Sequence, residues 1–201
     1  TGTDGSIGIG RDALKALTTG AGNIAIGMNA GDDLTDGAHN TILGYQAGDT
    51  LLGGTSYNVI VGSGAMGGGS TSAGSDYNVV IGYNAMSAGT RNNADHNTAV
   101  GYLTLEDLTT GDRNTVVGSS SGISLTSGGY NTILGGGAGK VTTDVDNAVI
   151  IGYGACADGD VTNAADGTVA IGYDSLKALT SGIGNVAIGY QALDAEDDGD
   201  Y

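Results

Sequence analysis

Gly supplies 40 of the 201 residues, Pro, Phe and Trp are absent, and every ring beyond two His is a Tyr. Without a strict every-third Gly or any Pro the chain is not collagen, and the patterning of its Ile, Val and Leu separates it from a disordered Gly-rich tract. A net charge of −16 disfavours nucleic acid and anionic membrane surfaces, and no apolar run is long enough to span a bilayer.

Taken in order, the chain repeats one phrase, seen most plainly as Asn97-Thr98-Ala99-Val100-Gly101-Tyr102. The Gly that ends it recurs at Gly10, Gly27, Gly44, Gly62, Gly82, Gly101, Gly118, Gly135, Gly152, Gly172 and Gly189, with separations of 17 to 20 residues. A fixed period of this size is the mark of a solenoid, whose units cannot bury their apolar faces alone. Four residues before the Gly stands a nearly constant Asn: Asn23, Asn40, Asn58, Asn78, Asn97, Asn114, Asn131 and Asn185, with Ser6, Ala148 and Thr168 as exceptions. The apolar run between Asn and Gly reads as a short strand. Stacked coils would place the Asn side chains in a hydrogen-bonded ladder.

After the Gly, Tyr45, Tyr83, Tyr102, Tyr153, Tyr173 and Tyr190 form one recurring position. A small residue follows, such as Ala30 or Ala47, and then a second apolar point at Leu17, Leu34, Leu51, Leu108, Leu125 and Leu179. This stretch is predicted to be a second, shorter strand followed by a turn. The expected fold is all-β: a parallel β-solenoid of about eleven ~17-residue coils, a rod roughly 50 Å long, spanning residues 1–193. Residues 194–201 are expected to form an acidic tail or linker. The start at Thr1 without Met, and the lack of evident caps, read as an excised piece with flanking domains. Insertions at Gly67–Tyr77, Ser87–His96 and Ala157–Gly167 all fall before the next Asn and should bulge from one corner.

The phrase is apolar at three consecutive places, so the strand is apolar on both faces. The middle position, with Ile42, Ile60, Val80, Val116, Ile133 and Ile150, is taken as the column that asks for partner chains. An obligate homo-oligomer is the expectation.

The phrases Asn185-Val186-Ala187-Ile188-Gly189 and Thr168-Val169-Ala170-Ile171-Gly172 resemble the repeats of trimeric autotransporter adhesin heads and of bacteriophage tail fibres, from Ser6 to Leu193. The resemblance implies a left-handed β-roll, three chains around a common axis, and a structural or adhesive role in an extracellular fibre on a virion or bacterial surface. The partners it implies are the chain itself, other fibre components and a host-surface glycan. The period here is longer than that of the adhesin heads, and the Tyr after the Gly fits the phage-type arrays better.

No catalytic constellation, cofactor motif or metal-ligand spacing emerges, and the chain reads as non-enzymatic. A glycan depolymerase would need paired carboxylates, and no carboxylate is read as recurring at a fixed position. Directly before the Asn, six coils carry planar side chains: His39, Tyr57, Tyr77, His96, Arg113 and Tyr130. They suit either a structural stack or a sugar-binding surface stripe. Asp158-Gly159-Asp160 has the alternate oxygen spacing of a calcium loop, with Asp158 and Asp160 as ligands, but lacks the downstream Glu. Cys156 occupies a position elsewhere filled by Leu or Met and is read as a small core residue. The competing reading is a monomeric glycan- or ice-binding solenoid, for which Thr41, Thr98, Thr115 and Thr132 would supply an outward Thr column.

Overall fold

The computed structural model describes residues 5–69 and 74–198. Eleven three-residue strands form one parallel sheet in strict chain order. They are β1 (Ile7–Ile9), β2 (Ile24–Ile26), β3 (Thr41–Leu43), β4 (Val59–Val61), β5 (Val79–Ile81), β6 (Thr98–Val100), β7 (Thr115–Val117), β8 (Thr132–Leu134), β9 (Val149–Ile151), β10 (Val169–Ile171) and β11 (Val186–Ile188). Each strand pairs with the same positions of the next, for example Thr98 with Thr115 and Val100 with Val117. The fold is a β-solenoid, and every coil contributes one rung. Counting the Asn as position 0, the strand occupies positions +1 to +3 and the Gly position +4.

The Gly at +4 is required in all eleven coils. Its φ lies between 127° and 147°, a region closed to side chains. A Cβ on Gly101 would also overlap the carbonyl oxygen of Gly118 in the next coil. Stacking, not only the bend, therefore excludes any other residue there.

The second strand does not form. Positions +5 to +8 are turns, because positions +6 and +8 both take positive φ in every coil, as at Leu103 (52°) and Leu105 (51°). Alternating left-handed residues coil the chain too tightly for a strand, yet inter-coil bonding persists. The Leu105 N–H donates to the Ser121 carbonyl at 3.2 Å, and the Met86 N–H to the Thr104 carbonyl at 3.0 Å. The backbone thus bonds along the rod even where it is not extended, which satisfies groups that burial would otherwise penalise.

The core is a set of columns inside the coil. Position +2 is buried throughout β2–β11, including Ile42, Ile60, Val80, Val116, Ile133 and Ile150. Ala or a small polar residue at +7, Leu, Met or Cys156 at +8, and Leu at +11 complete it. Cys156 is wholly buried, and burial pushes its thiol up to about 12, so it packs as a small apolar group. These columns correct the expectation that the middle strand position seeks partners. It fills the coil, and the flanking positions +1 and +3 face outward.

Of the three insertions, that at Ala157–Gly167 contains a short 3-10 turn, Asn163–Ala165, capped by Thr162. Residues 70–73 of the first lie outside the described residues. The insertion at Ser87–His96 supplies Arg91, the largest fully buried side chain. Its guanidinium donates to the carbonyls of Met86 (2.6 Å), Met66 (2.9 Å), Gly69 (3.0 Å) and Gly89 (3.3 Å) and so ties two insertions together. Burial lowers its pKa to about 10, which leaves it charged at neutral pH. Beyond residue 193 the last coil keeps its inter-coil bonds, with the Asp194 and Asp197 carbonyls accepting from Ala178 and Thr180.

Asp49 lies near this cation with its Oδ1 buried and unpartnered. Burial, then repulsion from Asp32, raises its carboxyl to about 6. Its folded pKa thus exceeds the ordinary ~3.9, so ionisation opposes folding as pH rises through that window. The opposition is absent below about pH 4 and complete above about pH 6. Asp49→Asn should therefore stabilise the chain at pH 8 by about 1 kcal/mol, after allowing for solvent screening. It should leave stability at pH 4 unchanged. Thermal melts at the two pH values check this, and equal gains at both would refute it.

Candidate functional surface

The predicted Asn ladder forms inside the coil. Asn23, Asn40, Asn58, Asn78, Asn97, Asn114, Asn131 and Asn185 are all buried. Each Nδ2 from Asn23 to Asn131 donates to a carbonyl fourteen to seventeen residues on, closing its own coil, as from Asn114 to Gly128 at 2.9 Å. Most also donate to the Oδ1 of the preceding Asn, as from Asn114 to Asn97 at 3.1 Å. The run ends where the Ala148 N–H donates to Asn131 Oδ1. Asn185 stands apart and donates to Gly182. The ladder is structural and orients the strand above which the surface columns stand.

Outside, the sheet presents positions +1 and +3. None of these twenty-two positions carries a charge, in a chain with 28 charged residues. Ile9, Ile26, Leu43, Ile81, Val117 and Ile188 are among the large apolar side chains left exposed. Along the chain the strand is flanked by exposed planar columns, the position −1 residues on one side and the Tyr at +5 on the other.

The structure brings the predicted stripe together. His39, Tyr57, Tyr77 and His96 stack at centroid spacings of 5.2, 4.9 and 5.0 Å. Arg113 then lies over Tyr130 at 5.4 Å and donates Nη1–H to its hydroxyl at 3.2 Å. All six residues hold φ between 57° and 61°. At the ends of the rod the same position is Gly: Gly5, Gly22, Gly167 and Gly184. The left-handed conformation costs a non-Gly residue about 1–2 kcal/mol, which stacking of ~0.5–1.5 kcal/mol roughly offsets. Six successive coils retain planar side chains where Gly would be the unstrained choice.

Carboxylates do recur at a fixed position, which corrects the sequence reading. Position −2 carries Asp76, Asp95, Asp112, Asp146 and Asp166. One oxygen of each accepts the backbone N–H of the preceding coil at 2.7–2.8 Å, from Ser56, Asp76, Asp95, Gly129 and Asp146 respectively. Burial foremost, and Asp95 beside it, push the Asp76 carboxyl above its ordinary value, although the Ser56 N–H opposes this. The column was hidden in the sequence because Gly129 interrupts it, Ala21, Ala38, Ser56 and Ile183 take its place in other coils, and insertions shift its spacing. Its geometry suits a second backbone ladder beside the planar stripe.

Asp158 and Asp160 do not converge. Asp158 pairs with Lys177 Nζ at 3.5 Å, and Asp160 Oδ1 accepts from the Thr143 hydroxyl at 3.1 Å. Among the described residues, the ligand oxygens that approach within 4.8 Å in a group of three are those of Glu196, Asp197 and Asp198. No helix among the described residues is long and apolar enough to cross a membrane. No family model matches the sequence, and no curated protein or solved structure matches it either.

Proposed function

We propose that the chain is a structural and adhesive segment of an extracellular fibre, from a phage tail or a bacterial surface. In it three copies pack their outward strand faces around a common axis. The observation that carries this reading is the uncharged outward face. Eleven rungs at ~4.8 Å and three strand residues at ~3.3 Å each give an uncharged strip on the order of 500 Å². A strip of that size matches the largest apolar patches that soluble proteins expose, about 300–600 Å², which commonly mark interaction sites, and residues bordering it on the position −1 side would supply the rest of the about 800 Å² that a stable interface covers on each partner. The number three rests on the resemblance of the repeat phrase to adhesin heads and phage fibres. The mechanism is mechanical: a rod holds attachment elements away from the particle and repeats its corner loops for multivalent contact.

Solution X-ray scattering tests it. The expected particle is a rod about 50 Å long whose cross-section holds three chains; a cross-section holding one chain would count against the reading. A monomeric ice-binding face is the weaker alternative. Thr98, Thr115 and Thr132 align on successive rungs, but Val59, Val79 and Val149 interrupt the column. Thermal hysteresis in a monomeric sample would favour it.

A further inference from the structure

Between Tyr45 and Tyr190 the Tyr column at position +5 is broken twice, by Ser63 alone and by the adjacent pair Ser119 and Gly136, and the wider gap is the one flanked by stacked rings on both sides. Tyr83 stacks on Tyr102 at 5.6 Å, and Tyr153, Tyr173 and Tyr190 stack at 5.7 and 5.2 Å. Between these runs the coils of β7 and β8 carry Ser119 and Gly136 instead. Two rungs are therefore missing. The position of the nearer one lies directly over a ring, because a Cβ on Gly136 would meet Tyr153 Cδ2 at 3.5 Å. Exposure agrees: Tyr173, with a ring on each side, is 44% exposed, whereas Tyr153 is 65% exposed.

The open face of Tyr153 borders a cleft of about 400 Å³. Its walls bring Ser119, Ser120, Lys140, Asp158, Asp174 and Lys177 together. Lys177 Nζ lies 3.3 Å from Asp174 Oδ2 and 3.5 Å from Asp158 Oδ2. Asp174 is only 7% exposed, which fixes that ion pair at the base. Lys140 makes no ion pair among the described residues, so its ammonium and the outer oxygen of Asp158 are available to a ligand. Two Lys and two Asp balance, although the chain as a whole carries −16. The site thus combines an open aromatic face, neutral local charge, and donors and acceptors at its rim.

We propose that this gap is a binding site for a neutral pyranose unit of a glycan. Its C–H face lies on Tyr153 as the missing rung, and its hydroxyls bond to Asp158, Lys140 and the Ser119 and Ser120 hydroxyls. A pyranose laid with its C–H face on the ring, at the spacing of one coil, continues the stack that the side chains leave off. Positions +5, +6, +9 and +10 form this cleft, on the corner beyond the strand, so an assembly through the outward face leaves it open. The inference deepens the adhesive half of the proposed function and does not depend on association between chains.

The test is saturation-transfer NMR on the full chain in its native oligomeric state. The probes are methyl β-D-glucopyranoside, methyl β-D-galactopyranoside, N-acetylglucosamine and, as the acidic comparison, glucuronate. At least one neutral probe should receive saturation on its C–H face with a millimolar Kd, more strongly than glucuronate. Gly136→Tyr should complete the column and weaken binding at least tenfold. Gly136 does not take a positive φ, so the melting temperature should not fall. Tyr153→Ala removes the platform from an exposed position, should weaken binding by a similar factor, and carries the test if Gly136→Tyr fails to fold. No saturation of any neutral probe at 50 mM, undiminished binding in a folded variant, or preference for glucuronate would overturn the proposal. A monomer that binds sugar would remove the trimer alone, and a trimer that does not would remove this site alone.

Discussion

On the proposed trimeric assembly, replacing Val100 and Val117 together by Asp should yield folded monomers. The two residues are register partners on adjacent rungs, and both point away from the coil interior. In a single chain the new carboxylates meet water and the coil core is untouched, so the cost is confined to their mutual repulsion across adjacent rungs and the poor strand propensity of Asp, about 1–2 kcal/mol in all. At an interface the same groups would be stripped of water without a cationic partner, which costs several kcal/mol per chain. Velocity sedimentation should show the mass of the main species falling about threefold, while circular dichroism keeps its β signature. The companion variant Val116→Asp moves the charge by one residue into the fully buried column and should unfold the chain. An oligomeric double variant, or a folded Val116→Asp chain, would contradict the assignment of the two strand faces.

Asn114→Ala should be among the most damaging substitutions in the molecule. The side chain donates to Asn97 Oδ1 and the Gly128 carbonyl and accepts from the N–H and Nδ2 of Asn131. Truncation leaves the buried Gly128 carbonyl and Asn131 N–H without partners, each worth about 1–3 kcal/mol, and takes one of the two acceptors of Asn131 Nδ2, which keeps the Val145 carbonyl. Partial relaxation brings the expected loss to about 3–5 kcal/mol. Because each coil leans only on its neighbours, protection against hydrogen exchange should fall first around β6–β8. Chemical denaturation would measure the total, and a loss under about 1 kcal/mol would show that the ladder is dispensable.

The period, the strand rungs, the Asn ladder and the Gly bends were all legible in the sequence, because stacking repeats each requirement every coil. Which strand face is the core was not. Val and Ile occur at all three positions +1 to +3, and the closure of the coil decides that +2 points inward. The stretch around Leu103 and Leu105 looks like a strand in composition, yet both residues are left-handed, a conformation that Leu does not announce. Arg91 was hidden because an insertion has no neighbouring repeat against which its burial could be read. The planar stripe from His39 to Tyr130 was visible as a column. The gap at Ser119 and Gly136 becomes meaningful only once the Tyr rings on either side are seen to stack.

The association of chains through the outward strand face is tested most directly by sedimentation equilibrium at micromolar concentration. Three chains of 19.6 kDa predict a mass of 58.8 kDa, independent of concentration across the micromolar range. A single species at 19.6 kDa would contradict the account.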